Sequence, residues 1–215
     1  MKKTLSFILA LGLLLPIAFM MFEPEIADAV AASGEVDVTL TVTEELTLTV
    51  PTGAGLVMTA MTMTTTTSYN PAAGADWTVK TNSQDGWKLE LKGDNANILA
   101  QASPAEAFTD YTEVTANTPE TWSVAAGAYE FGFNVDGDGV DTAVWGAGTS
   151  CATGTDKKYQ GFKGVTAIEV SDDATETSTT GALVSLCVKA EEGSSVYAPN
   201  GSYIADVTGT ATSTP

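Results

Sequence analysis

From Val36 the chain alternates with period two: Val36, Val38, Leu40 and Val42 are apolar while Asp37, Thr39 and Thr41 are polar, and the phase resumes at Leu46, Leu48 and Val50. Successive side chains of a strand point to opposite faces, so this pattern makes a sheet with one buried face and cannot line one side of a helix. The same signature recurs along the chain, with β-branched Thr and Val where a helix would use Leu, Glu and Lys. Further strands are expected at Leu56 to Met63, Trp77 to Thr81, Trp87 to Lys92, Thr121 to Ala125, Ala128 to Val135, Val165 to Val170, Ala182 to Lys189 and Ser202 to Ala211, separated by Gly, Pro, Asn and Asp clusters. The Ala-rich stretch between Asn95 and Phe108 is the one expected helix, cut to a turn or two by Pro104. The fold class is therefore all-β: one two-layer β-sandwich of immunoglobulin-like or jelly-roll type, with a short helical crossover.

Ahead of this body, Lys2 and Lys3 precede an apolar run from Leu5 to Phe22 and the small-residue sequence Ala27-Asp28-Ala29. A basic start, an apolar stretch and an A-x-A site make residues 1–29 a secretory signal peptide, cut after Ala29 with Ala31 or Ala32 as alternatives. A run of that length can also stay in the bilayer as an anchor. Residues 30–215 then form the domain, and about 185 residues can bury a substantial core.

All 9 basic residues are lysines, against 27 acids, and there is no histidine. Removing Lys2, Lys3, Glu23, Glu25 and Asp28 with the leader leaves 7 lysines and 24 acids, a net charge of −17. Such a surface repels polyanions, which argues against nucleic acid or an anionic membrane face as a partner. Without histidine the chain lacks the commonest general base, the Ser-His and Cys-His pairs and the main transition-metal ligand. Carboxylate pairs suffice for glycosidase-type chemistry, but no pair is marked out here, and a non-catalytic protein is expected.

Cys151 and Cys187, an even pair in an exported chain, read as a disulfide. Closing that loop should stabilise by about 3 to 4 kcal/mol in the chain-entropy model. Val184, Leu186 and Val188 set the apolar phase of their strand, so Cys187 points the other way with Ser185 and the bridge should pin the loop around Cys151 over the outer face.

Asn134-Val135-Asp136-Gly137-Asp138-Gly139-Val140-Asp141 resembles the first half of a calcium loop, with oxygen ligands at alternate positions before a glycine. An EF-hand would place a bidentate Glu where Trp145 stands, so the expectation is a calcium site of another kind built from Asn134, Asp136, Asp138 and Asp141, or else an acidic hairpin turn. Trp77 and Trp87 flank the Asn82–Gly86 turn as cross-strand neighbours, and Trp145, in a Gly-rich loop, is the best exposed platform for stacking a sugar ring.

Two segments resemble one family. Trp77-Thr78-Val79-Lys80-Thr81-Asn82-Ser83-Gln84-Asp85-Gly86-Trp87-Lys88-Leu89 is similar to the turn and first W-x-L motif of WxL-type bacterial cell-surface domains, with Trp87 and Leu89 as the motif residues. Gly201 to Pro215, including Tyr203, resembles their closing strand, with Gly209 and Ala211 in place of the second motif's Trp and Leu. The resemblance implies a secreted β-rich domain attached non-covalently to the cell wall, with peptidoglycan as ligand; Trp87, Leu89 and Tyr203 of the two segments, together with the loop residue Trp145, are the expected surface-binding residues. The expected function is a secreted surface-structural or adhesive module whose partner is a cell-wall polymer or another surface protein. Two other readings stand beside it: a self-assembling filament or matrix subunit that exchanges the strand after the leader, and a calcium-dependent carbohydrate-binding module.

Overall fold

A computed structural model describes residues 39–51, 57–65, 67–69, 75–94, 96–102, 105–147 and 156–214. The chain divides into two units, Met1–Thr41 and Val42–Pro215, and the second holds every strand described. In chain order these are β1 (Leu46–Thr49), β2 (Thr67–Tyr69), β3 (Ala75–Thr81), β4 (Trp87–Gly93), β5 (Thr109–Asp110), β6 (Glu120–Thr121), β7 (Tyr129–Gly137), α1 (Thr142–Trp145), β8 (Lys158–Tyr159), β9 (Ile168–Asp173), β10 (Ala182–Glu192) and β11 (Val207–Ser213).

The unit is a sandwich of two unequal layers. One sheet has the order β1-β3-β10-β7-β5, with β2 pairing the far end of β10; the other has the order β11-β4-β9. All pairs are antiparallel except β5 with β7. A short β6–β8 pair stands apart. Period-two patterning fixes which faces meet. Register sets Trp77 opposite Val184, Leu186 opposite Val135 and Val188 opposite Phe133, and these buried side chains form the inner face of the larger sheet. Trp87, Leu89 and Leu91 of β4 supply the inner face of the smaller sheet and belong to the same core. Each large apolar side chain fully buried this way contributes about 1.5 to 3 kcal/mol.

Four sequence expectations change. First, Trp77 and Trp87 are not cross-strand neighbours, because β3 pairs with β1 and β10 while β4 pairs with β11 and β9. The Asn82–Gly86 turn crosses between layers, held by Thr81 Oγ1 donating to Glu45 O at 2.9 Å and by the Ser83 amide donating to Thr81 Oγ1 at 3.0 Å. Gly86 takes φ 91°, and a Cβ there would sit 1.9 Å from Asp173 O, so the crossing needs glycine. Second, the stretch expected to be helical forms no helix where it is described: Ala100 bridges both Ala107 and Ile204, and its amide donates to Ile204 O at 3.0 Å. Pairing across the chain outweighs alanine's helix propensity there. The α-helix among the described residues is instead α1. Third, residues 57–61 form no strand, and Thr62 bridges only Thr65. Fourth, of the strand expected from Val36, Thr39 to Glu45 belong to no strand, with Leu40 84% and Val42 72% exposed; residues 36–38 lie outside the described set.

The outer face of the larger sheet is also covered. A Cβ on Gly132 of β7 would meet Trp122, Tyr111 and Gln160 O, each at 2.9 Å, which places those groups directly above that face. Tyr111 stacks on Trp122 at 4.4 Å, and Tyr159 meets Trp122 edge-on at 5.3 Å. Lys189 Nζ lies 4.8 Å from the Trp122 ring centre and 3.1 Å from Glu191 Oε2, which also accepts from Trp122 Nε1 at 2.9 Å. Ring faces and a carboxylate thus compensate the desolvated ammonium. Cys187 lies on this outward phase, opposite Asn134, and is disulfide-bonded. Cys151, the one other cysteine of the chain, lies outside the described residues.

Candidate functional site

Asp141 begins the site by capping α1, its Oδ1 accepting the Ala143 amide at 2.8 Å. An N-cap carboxylate satisfies a donor the helix itself leaves free, so a single helical turn can form after the Asp-Gly turn. The turn drives Trp145 inward, where its indole lies 5.3 Å from Phe133, itself stacked on Phe162 at 4.3 Å. Asn134 secures the turn from beneath, donating through Nδ2 to Trp145 O and Lys158 O, both at 2.7 Å.

Beside Trp145 a cleft of about 300 Å³ opens, flanked by Val144, Pro119 and Ile168 on its apolar side and by Asn117, Gln160, Lys163, Thr166 and Glu169 on its polar side. That volume is at the lower end of the range of small-molecule sites, roughly 300 to 1,000 Å³. Gln160 is fixed by its backbone, which donates to and accepts from Phe133 at 2.9 and 2.8 Å. The residue is only 3% exposed and lines the cleft. Lys163 is set by Glu113, whose carboxylate is buried, receives the lysine at 2.6 Å and accepts the Gly161 amide at 2.7 Å. The lysine stays partly exposed, so the cleft carries a cation whose position is fixed from behind. On the rim, Asn117 adopts φ 61°, a left-handed conformation that Asn tolerates better than most residues.

Chemically, the cleft offers a carboxamide, a hydroxyl, a fixed ammonium and an apolar wall. Those groups suit recognition of a polar, uncharged ring with hydroxyl or amide substituents. Of the carboxylates nearby, Glu113 is committed to Lys163 and Gly161, while Glu169 is at the rim, 3.9 Å from Lys88.

The residues singled out from sequence are placed differently. Trp87 and Leu89 are fully buried core residues. Trp145 is 3% exposed: an inward wall of the cleft, not a surface platform, because α1 turns it onto Phe133. Tyr203 is half-buried, donates to Pro199 O at 2.7 Å and meets Phe108 edge-on at 5.0 Å, away from the cleft lining. The carboxylates of the acidic loop are each engaged, while the buried Asn134 Oδ1 has no hydrogen-bond partner among the described residues. Asp136 pairs with Lys157 at 3.1 Å, Asp138 accepts the Leu183 amide at 2.8 Å, Asp141 caps α1, and Asn134 braces Trp145. No cluster of three potential metal-ligating side chains occurs among the described residues.

Sequence reasoning missed Gln160, Lys163, Glu113 and Asn117. Glu113 and Lys163 are 50 residues apart, and nothing in the sequence around either announces a buried pair. Two further carboxylates are perturbed. Burial pushes Glu130, on the outer face opposite Glu191, up to about 6. Burial also raises Asp110, against the amides of Ile98 and Asn97 that hold it down. The Tyr111 hydroxyl is driven up, first by burial and then by its bond to Glu120.

Gly209 and Ala211 of β11 pair with Leu91 and Leu89 of β4. A Cβ on Gly209 would lie 2.5 Å from Trp77 Nε1, so the indole of Trp77 occupies the space that a second motif tryptophan would need. No protein-family model matches this sequence, and comparison with curated proteins returns no match.

Proposed function

We propose that this chain is an exported, non-catalytic cell-surface module that holds a segment of wall polymer in the cleft beside Trp145. The observation that carries the reading is the cleft itself, where Gln160 shares the lining with a Lys163 held from behind by the buried Glu113 carboxylate. Polar groups fixed before a ligand arrives lose little freedom on binding, so less of the contact energy is lost to ordering them. The fixed Lys163 and the apolar side formed by Val144 and Ile168 complement a glycan's polar substituents and ring face. The leader and the acidic, histidine-free composition agree with a module that binds and does not turn over. The resemblance of the Trp77–Leu89 segment to wall-associated domains points to the same ligand class, with Trp87 and Leu89 serving as framework.

The test is cosedimentation of the exported chain with isolated cell walls at physiological salt, alongside a Gln160→Leu variant. Wild type should pellet with the walls and the variant should bind about tenfold more weakly, the loss of one or two buried hydrogen bonds. A wild type that stays in the supernatant, or a variant that binds equally well, overturns the reading.

A further inference from the structure

The two layers of the sandwich are unequal, and the smaller one ends on a bare strand. β11 is the outermost strand of the β11-β4-β9 sheet, and no strand among the described residues pairs with its outer edge. At the opposite edge, β9 is closed by the Asp138–Gly139 turn, through Asp172 donating to Gly139 O at 3.2 Å and Ser171 donating to Asp138 O at 2.7 Å. No such turn closes β11 among the described residues, and its sequence Val207-Thr208-Gly209-Thr210-Ala211-Thr212-Ser213 contains no charge and no proline. Natural edge strands are normally blunted by charges, prolines, bulges or covering loops; an edge lacking these is a template for pairing. Its inward residues Val207 and Ala211 are only half-buried, as are Leu46 and Leu48 of β1, which runs close to β11.

The same chain carries a segment suited to that edge. Val36 to Val42 has strand alternation by sequence, and the apolar residues of its described part, Leu40 and Val42, stand 84% and 72% exposed. The segment is not free to fold back onto its own β11 without a reversal. Asn82 Nδ2 donates to Thr43 O at 2.9 Å, the Glu45 amide donates to Asn82 Oδ1 at 2.7 Å, and no turn intervenes between Thr39 and β1.

We infer that the Val36–Val42 segment of one copy adds as a strand to the β11 edge of a second copy, giving head-to-tail assembly. The main chain of β11 supplies the pairing, and the alternate side chains Leu40 and Val42 turn onto the half-buried apolar surface beside it. Donor and acceptor are different surfaces, so the contact is heterologous, and it extends as a filament unless the rotation closes a ring. A charge of −17 per copy opposes association, so assembly strengthens as salt screens it.

Sedimentation velocity and electron microscopy of the exported chain, from low to high salt, test this with two variants. Leu40→Asp with Val42→Asp removes the donor; Thr208→Glu with Thr210→Glu charges the acceptor at exposed positions. Wild type should form chains that lengthen with salt, and each variant alone should be monomeric with an unchanged circular dichroism spectrum. Mixed in equal amounts, the variants should form a dimer that grows no further, since one retains the donor and the other the acceptor. A free peptide of residues 36–45 in tenfold excess should shorten wild-type chains, a measurement that does not depend on either variant folding. A monomeric wild type at all salt concentrations, assembly by either variant alone, or indifference to the peptide overturns the inference.

Discussion

Replacing Glu130 by Gln should stabilise the protein at neutral pH. Glu130 lies on the outer face of β7, opposite Glu191 and next to the Tyr111–Trp122 stack, and burial lifts it from 4.5 to about 6. A carboxyl that holds its proton more tightly when folded contributes most stability at low pH. That contribution falls as pH rises from the unfolded value near 4.5 through the folded value near 6, and it is absent above. A shift of about 1.5 units corresponds to about 2 kcal/mol at 1.36 kcal/mol per unit. The side chain is only half-buried, and solvent screening reduces the figure to about 1 kcal/mol. Gln keeps the shape without the charge, so it removes the penalty at pH 7.5 while matching the protonated wild type at pH 4. Denaturant unfolding at half-unit steps from pH 4 to 8 reads the difference directly. The two proteins should coincide near pH 4 and diverge to about 1 kcal/mol, Gln more stable, by pH 7. Asp110, also raised by burial, is present in both and cancels in the difference. A variant equal to or less stable than wild type at pH 7.5 would show that Glu130 is solvated or compensated and would refute the argument.

Gly209→Ala should cost about 1 to 3 kcal/mol, because its methyl group meets the buried Trp77 indole at 2.5 Å and overpacks a filled core; thermal unfolding measures it. Reducing the disulfide, or Cys187→Ser, should lower stability by about 3 to 4 kcal/mol with the fold retained, and an unchanged denaturant midpoint would count against the bridge. Adding EDTA should leave the melting temperature unchanged, since Asp136, Asp138 and Asp141 are each bonded within the protein; a drop of several degrees would mean that the acidic loop holds a cation.

What the sequence revealed and what it hid follow from the range of each signal. Alternation located β4, β7 and β10, because a residue's face is decided by its immediate neighbours and the sandwich buries one face throughout. It could not show whether a strand has a partner: the alternation through Leu40 and Val42 matches that at Leu46–Thr49, although of the described residues in the two stretches only Leu46–Thr49 are in a ladder. The turn between Trp77 and Trp87 has the composition of a hairpin, but its crossing depends on Thr81 and Asn82 bonding back to residues 43–45. Asp141 caps a helix, a role that asks for an accepting oxygen just as metal ligation does, and local sequence does not separate the two. The cleft was the least legible part, since Gln160 is placed by Phe133 and Lys163 by Glu113, partners distant in the chain. Trp145 alone was singled out in advance, and for exposure it does not have.

The lysines carry a consequence for the protein's resistance to proteolysis. With no arginine in the chain, a protease of trypsin type can cut only after lysine, and seven lysines follow residue 29. Lys80, Lys88, Lys92, Lys158 and Lys189 lie within strands, Lys163 in a bridge with Thr166, and Lys157 is buried against Asp136. Such proteases need several residues of loose, accessible backbone, which loop tips and frayed ends normally provide. Here the cleavable bonds are confined to the hydrogen-bonded framework, and the exposed loops, rich in Thr, Ala, Gly and Asp, offer none. Digestion by such an enzyme must wait for the sandwich itself to open, so its rate becomes a measure of global unfolding.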